Sequence, residues 1–218
     1  MTYEEIKRNP SINAYIKTAD ESLNALGYTE HSYAHVTAVA EKTGYILKTL
    51  GYDERTVELG KIAGYLHDIG NLINRIDHSQ SGAMMAFRIL DHLHFPAEET
   101  AMIVSAIGNH DEGTGTPVSP LAAALIIADK SDVRRNRVRN DDIAAFDIHD
   151  RVNYSVTKAE LKIDPERTVI ELKLQIDTQY GSIMEYFEIF MERMILCRKA
   201  AEKLGLCFQL MINDTQLI

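Results

Sequence analysis

The sequence predicts a mainly α-helical protein that ends in a small α+β unit. Up to about residue 140, apolar side chains recur at intervals of three and four residues, which is the period of an amphipathic helix. Near Asn140 this pattern stops, and residues 170–177 alternate apolar and polar side chains, as a half-buried strand does. We therefore expect a helical domain over residues 1–140. A small unit over residues 141–218 is expected to pack on that domain or to lie at a dimer interface.

Helical segments fill the first part, and glycine, proline or a polar loop separates them. They cover residues 11–26, 36–50, 53–69, 79–93, 96–109 and 121–133. Asp53 is expected to cap the third helix. The fourth helix is expected to point Met84, Phe87 and Leu90 inward. The last segment, LAAALIIADKSDV, is apolar enough to be a buried helix.

The C-terminal unit is predicted to have the order β-β-α-β. Residues 154–163 can form a strand that pairs with residues 170–177, because Asp164 and Pro165 favour a type I turn between them. A long amphipathic helix follows Gly181, and CFQLMI near the C-terminus is a third strand. The apolar stripe of the helix favours packing against the sheet. A homodimer surface is the alternative, and the sequence leaves both open.

Composition narrows the classes of function. The chain has 218 residues and a formal net charge of −9, which argues against general binding to nucleic acid or to anionic membranes. Its two cysteines fit neither a disulfide framework nor a zinc ribbon. The charged N-terminus has no apolar core of a signal peptide, and no apolar run is long enough to span a membrane. These features predict a soluble cytoplasmic protein.

Imidazole and carboxylate side chains lie at the ends or on the inward faces of five predicted elements. The dipeptide His-Asp begins at positions 67, 110 and 149, so the dipeptide alone does not select a site. The candidates in chain order are His35, His67, Asp68, His78, His110 and Asp129. Neutral imidazole and carboxylate are good ligands for divalent Mn, Fe, Co, Ni or Zn. Four such ligands would satisfy one ion, and six, with Asp68 placed to bridge, indicate two.

The pattern H…HD…H…H…D over roughly residues 30–135 resembles the HD superfamily of metal-dependent phosphohydrolases. The stretches that carry the resemblance are HVTAVAEKTGYILKTLGYD, AGYLHDIG, HSQSGA, IVSAIGNHDE and LIIADKSD. The resemblance implies an all-helical HD-domain bundle that holds two divalent metal ions (Mn, Fe, Mg, Co, Ni or Zn). It assigns His35, His67, Asp68 and Asp129 to the core metal site. It assigns His78 and His110 to the second metal.

The resemblance also implies an activity, the hydrolysis of a phosphate ester of a nucleotide or another small phosphorylated metabolite. A hydroxide held between two metals bridged by Asp68 would attack phosphorus, with His67 and Asp68 as the central catalytic pair. A protein nucleophile is then unnecessary, and the sequence has no Gly-x-Ser-x-Gly elbow.

The phosphate-binding residues are less well marked. Many members of the family have lysine directly after HDIG, where this chain has Asn71. Arg75 and Lys130 are candidates for the missing positive charge, and Arg134 comes from the basic run that follows Asp129. His31 lies one helical turn before His35 and is a candidate for the rim of the site. Asp111 is expected to face solvent because a glycine-rich loop follows it.

Two other functions are alternatives: the first uses the same ligand set, and the complete ligand set argues against the second. One is a di-iron oxygenase on an HD fold, which would contain iron and consume oxygen without releasing phosphate. The other is a regulatory module that binds a nucleotide without turnover and signals through the C-terminal unit.

Overall fold

The computed structural model describes residues 1–218 and has nine α-helices and a four-stranded sheet. The helices are α1 (Tyr3–Lys7), α2 (Pro10–Ala25), α3 (Tyr33–Thr49), α4 (Glu54–Leu66), α5 (His78–His92), α6 (Ala97–Gly108), α7 (Pro120–Lys130), α8 (Ile148–Ser155) and α9 (Ile183–Lys203). The strands are β1 (Val156–Ile163), β2 (Val169–Ile176), β3 (Cys207–Ile212) and β4 (Thr215–Gln216). This is the predicted fold class, a helical bundle followed by a small α+β unit.

Helix α7 lies at the centre of the bundle. Every residue from Leu121 to Ala128 is buried, so this helix is apolar on all sides rather than along one stripe. Helices α3, α4, α6 and α9 pack around it. Asp53 caps α4, since its carboxylate accepts a hydrogen bond from the backbone nitrogen of Thr56 at 3.0 Å. The predictions of a buried helix and of the Asp53 cap are confirmed.

The predicted inward face of α5 is wrong at two of its three positions. Leu90 is fully buried, but Met84 is 66% exposed and Phe87 is 48% exposed. The buried face instead carries Gly82, Ala83 and Ala86. Small side chains let α5 approach α6 and the short 3-10 helix Ile69–Leu72 closely. The pattern of apolar residues in the sequence does not show that this face must carry small side chains.

The sheet has the order β1-β2-β3-β4. Strand β2 pairs antiparallel with β1 and parallel with β3, and α9 forms the connection between the two parallel strands. The sequence did not predict α1, α8, the two-residue strand β4 or the parallel pairing of β2 with β3.

Helix α9 joins the α+β unit to the bundle. It packs against α7 on one side and against β3 on another. Cys197, Ala200 and Ala201 on α9 are fully buried. A single hydrophobic core of 47 residues therefore extends from the helices into the sheet. In this way the second unit also becomes a neighbour of the polar centre described below.

None of the helices is both long enough and apolar enough to cross a membrane.

Candidate metal centre

Five helices bring the predicted ligands together. Helix α3 supplies His35 from its first turn, the end of α4 supplies His67 and Asp68, and α5 begins at His78. The chain just after α6 supplies His110, and the last turn of α7 supplies Asp129. Five of these six residues are between 0% and 6% exposed, and the Asp129 side chain is 12% exposed. Six polar groups therefore meet inside the bundle, where each needs a partner.

A close helix contact fixes the position of Asp68. Gly70 lies so near α5 that a Cβ atom there would overlap the carbonyl oxygen of His78 and the backbone nitrogen of Gly82. Glycine at position 70 lets the chain turn from α4 into the short 3-10 helix directly beneath α5. As a result, Asp68 Oδ1 lies 3.5 Å from Nε2 of His78.

The four imidazoles all use Nδ1 for a hydrogen bond directed away from the centre. The acceptors are an Asp132 carboxylate oxygen for His35 at 2.8 Å, the Gly64 carbonyl for His67 at 2.8 Å, the Arg75 carbonyl for His78 at 3.1 Å and the Ile107 carbonyl for His110 at 2.6 Å. Because carbonyl and carboxylate oxygens only accept, each Nδ1 must carry a proton. In neutral imidazole the lone pair is then on Nε2 and points inward, which is the tautomer of a metal ligand.

The inward nitrogen atoms lack protein partners. Nε2 of His35 and Nε2 of His67 are buried and form no hydrogen bond. Each lies 3.4 Å from Asp68 Oδ2, and they lie 3.4 and 3.6 Å from Asp129 Oδ1. Ligand atoms bound at about 2.1 Å in a tetrahedral site are about 3.4 Å apart. The ligand atoms of His35, His67 and Asp129 all lie within 4.8 Å of one another, so these three residues could hold one metal ion.

His78 and His110 form a second group. Their Nε2 atoms lie 3.2 Å apart, although both Nδ1 atoms hold their protons. Two lone pairs that face each other at this distance repel, unless a cation or a proton lies close to both. A cation bound by both nitrogen atoms would remove that repulsion, so this pair also has the chemistry of a metal ligand set.

Asp68 lies between the two groups. Its Oδ2 faces His35 and His67, and its Oδ1 faces His78. Asn71 donates to Asp68 Oδ1 at 3.0 Å and accepts from Arg75 Nη1 at 3.3 Å. Asn71 therefore orients the shared carboxylate.

The electrostatics agree with a site built for cations. Burial by itself lowers the pKa of His67, but the carboxylates of Asp68 and Asp129 outweigh it and raise that pKa to about 10. Burial holds the pKa of His78 and of His110 below the ordinary value for histidine. Burial opposes the charge of Asp68, but His67 and His35 outweigh it and hold the carboxyl pKa well below its usual range.

Of the predicted substrate-binding residues, two lie in a cavity and two do not. His31 and Arg75 line a cavity of about 460 Å³. Lys130 is 4% exposed and pairs with Asp129 at 2.8 Å, so its charge is already compensated. Arg134 lies outside the cavity lining and pairs with Glu30 at 2.9 Å.

The expectation that Asp111 faces solvent is wrong. Its side chain is only 26% exposed, and Oδ1 lies 3.9 Å from Nε2 of His78. The loop that follows α6 turns back at Gly115, whose nitrogen donates to the Asp111 carbonyl at 2.6 Å. That turn holds residue 111 against the site.

Four residues of this region were not predicted: Glu112, Asp132, Arg137 and Arg193. Asp132 could have been found, because it lies three residues after Asp129 and so close to the same end of α7. No feature of the sequence indicates Arg193 as a site residue, because only the packing of α9 brings it into the cavity lining.

Comparison with known proteins places this centre in a family. The HD domain family matches residues 32–134, a span that contains all six candidate ligands. Residues 32–134 therefore resemble an HD domain, and HD domains typically bind divalent metal ions.

The sequence identity to individual proteins is low. The chain is 27% identical over 210 residues to an uncharacterized protein of Methanocaldococcus jannaschii, with 85% of this chain and 80% of that protein covered. It is 30% identical over 119 residues to Ribonuclease Y of Bacillus licheniformis, covering 55% of this chain and 21% of the enzyme. A solved structure, a predicted HD superfamily hydrolase from an uncultured Thermotogales bacterium, is 23% identical with a TM-score of 0.44. That comparison covers 60% of this chain and 73% of the other.

Proposed function

We propose that this protein is a metal-dependent phosphohydrolase that cleaves a small phosphate ester, such as a nucleotide or another phosphorylated metabolite. The observation that supports the proposal most is the common orientation of His35, His67, His78 and His110, whose Nε2 atoms all face Asp68 or its neighbours. The match of residues 32–134 to the HD domain family supports the same chemistry.

The proposed site holds two divalent ions. His35, His67 and Asp129 would hold one, His78 and His110 the other, and Asp68 would contact both. Bound ions of this kind lower the pKa of water and stabilise negative charge on phosphoryl oxygens. Around them, hydrogen bonds to Nδ1 fix the rotation of each imidazole, and the helices exclude bulk water from the ligands.

A small substrate suits the cavity better than a polymer does. A volume of about 460 Å³ is in the range of small-molecule sites. The whole chain carries a net charge of −9, which opposes binding to the repeated phosphates of a nucleic acid. Cleavage of RNA is nevertheless a second candidate, because of the similarity to Ribonuclease Y.

The test is metal analysis of the purified protein, followed by a phosphate-release screen with the metals found. The screen contains nucleoside monophosphates, other phosphate monoesters and a labelled RNA oligonucleotide. His67→Ala and Asp68→Ala should lose metal and activity together. Asp91→Ala, which removes an exposed carboxylate on α5, should keep both.

Other outcomes select other functions. Activity of metal-free wild-type protein equal to that of the loaded protein would refute the proposal. Iron with oxygen uptake and no phosphate release would indicate the oxygenase. Nucleotide binding without turnover in the metal-loaded protein would indicate the regulatory module.

A further inference from the structure

The cavity beside the metal centre has walls from both parts of the chain. His31, Arg75 and Arg137 come from the helical part of the chain, and the His31 ring lies 5.5 Å from the ring of the candidate ligand His35. Asn153 of α8 and Ile189, Phe190 and Arg193 of α9 form the other wall. The HD match ends at residue 134, so this second wall lies outside the matched domain.

Arg193 is held at one nitrogen and free at the other two. Its Nε donates to Glu112 Oε1 at 2.8 Å, and its guanidinium lies over the Phe190 ring at 4.5 Å from the centroid. No protein group accepts a hydrogen bond from either Nη atom, and the side chain is 24% exposed. The two Nη atoms of a fixed guanidinium form a planar pair of donors that matches two oxygens of one phosphoryl group.

A chain of ion pairs connects Arg193 with the metal ligands. Asp129 pairs with Lys130 at 2.8 Å, Lys130 pairs with Glu112 at 2.5 Å, and Glu112 pairs with Arg193. Glu112 is thus shared by two cations. These contacts hold the guanidinium next to the metal centre without using its outer donors.

The other arginines of the cavity are less suited to this role. Arg137 is 5% exposed and donates to the Glu30 and Asp132 carbonyls at 2.9 and 2.7 Å, so it has a structural task. Arg75 donates to Asn71 at 3.3 Å and lies over the Tyr28 ring at 5.9 Å, which is a looser arrangement.

We propose that Arg193 binds the phosphoryl group of the substrate through its two Nη groups, so that α9 completes the substrate site of the HD domain. This proposal rests on the proposed phosphohydrolase function and assigns it a specificity residue outside the family domain. Glu112 acts as the positioning residue that aims the guanidinium.

The experiment compares wild-type protein with Arg193→Ala, Arg193→Gln and Arg193→Lys. Arg198→Ala is the matched control, because it removes an exposed arginine from the same helix. Metal content and unfolding midpoint are measured first. Binding of inorganic phosphate to the metal-loaded proteins follows by calorimetry, and KM and kcat are then measured on the best phosphate monoester.

Arg193→Ala should weaken phosphate binding and raise KM by roughly tenfold to a hundredfold, the size of a lost charge-assisted contact. Metal content should stay at the wild-type level. Arg193→Lys should recover part of the affinity for phosphate, because lysine supplies a positive charge but lacks the planar pair of Nη donors. Should Arg193→Ala fold poorly, Arg193→Gln keeps most of the aliphatic part of the side chain and an uncharged polar end, and removes the guanidinium. It should show the same loss of phosphate affinity.

The results separate the two proposals. Wild-type affinity and KM in Arg193→Ala or Arg193→Gln, with an active wild-type enzyme, would overturn the role of Arg193 and leave the phosphohydrolase intact. A loss equally large in Arg198→Ala would also overturn it, because the effect would then be one of overall charge. A metal-loaded wild-type protein that neither binds nor releases phosphate would overturn both.

Discussion

Replacing Asp132 by asparagine should weaken metal binding although Asp132 is not itself a proposed ligand. Its Oδ2 accepts the Nδ1 proton of His35 at 2.8 Å. Its Oδ1 lies 3.4 Å from Lys42 Nζ and 3.3 Å from Arg134 Nε. An asparagine amide has one acceptor and one NH2 group. In either orientation the NH2 group faces a donor, His35 in one case and the two cations in the other.

The size of the effect follows from the lost hydrogen bond. A charge-assisted bond contributes about 1.5–3 kcal/mol, and each 1.4 kcal/mol changes an equilibrium constant tenfold. The affinity for the ion held by His35 should therefore fall roughly tenfold to a hundredfold. Replacements of residues that orient metal-binding histidines typically have effects of this size.

The assay is competition for Zn²⁺ or Mn²⁺ with a chromophoric chelator, together with urea unfolding of the metal-free proteins. Asp91→Asn, an exposed carboxylate on α5, is the control and should match wild type. Asp132 is 5% exposed, so some loss of stability is expected as well. If the Asp132→Asn protein stays folded and binds metal within twofold of wild type, the orienting role of Asp132 is refuted.

Two further perturbations test other parts of the site. Gly70→Ala should lower the free energy of unfolding by about 3 kcal/mol and reduce metal content, because its Cβ would overlap the backbone of α5. Gly108→Ala, whose Cβ would lie 3.6 Å from Ala83 Cβ, should cost almost nothing in the same urea titration. Binding of metal at pH 8 should release protons, because a pKa of about 10 keeps His67 protonated until a metal ion displaces the proton. Calorimetry in two buffers of different ionisation enthalpy measures that release, and equal heats in both buffers would contradict it.

The helices near the centre could be predicted because their signals are local. Asp53 marks the start of α4. The fully apolar run before Asp129 predicts a buried helix regardless of which of its faces packs against which neighbour. Helix α5 shows the limit of such patterns. Its large apolar residues Met84 and Phe87 point outward, since the inward face must be small to fit beneath α6 and beside Gly70.

The candidate ligands could be proposed because each lies at the end of an element or on an inward face, in an order that resembles the HD superfamily. The sequence did not contain their mutual distances or their hydrogen-bond partners. Asp132, which orients His35, is 97 residues away from it along the chain, and such a contact exists only when α3 and α7 pack together.

By itself the sequence determined a helical bundle with a small α+β unit, and the six candidate ligands in their order along the chain. The tertiary structure alone decided which nitrogen of each imidazole faces the centre, that Asp111 turns inward, and that Arg193 reaches the cavity. The physical reason is that helix ends, caps and apolar stripes depend on neighbouring residues. The residues that line the cavity, and those that hydrogen-bond to the candidate ligands, instead come from distant segments of the chain. Only burial of the common hydrophobic core brings these segments together.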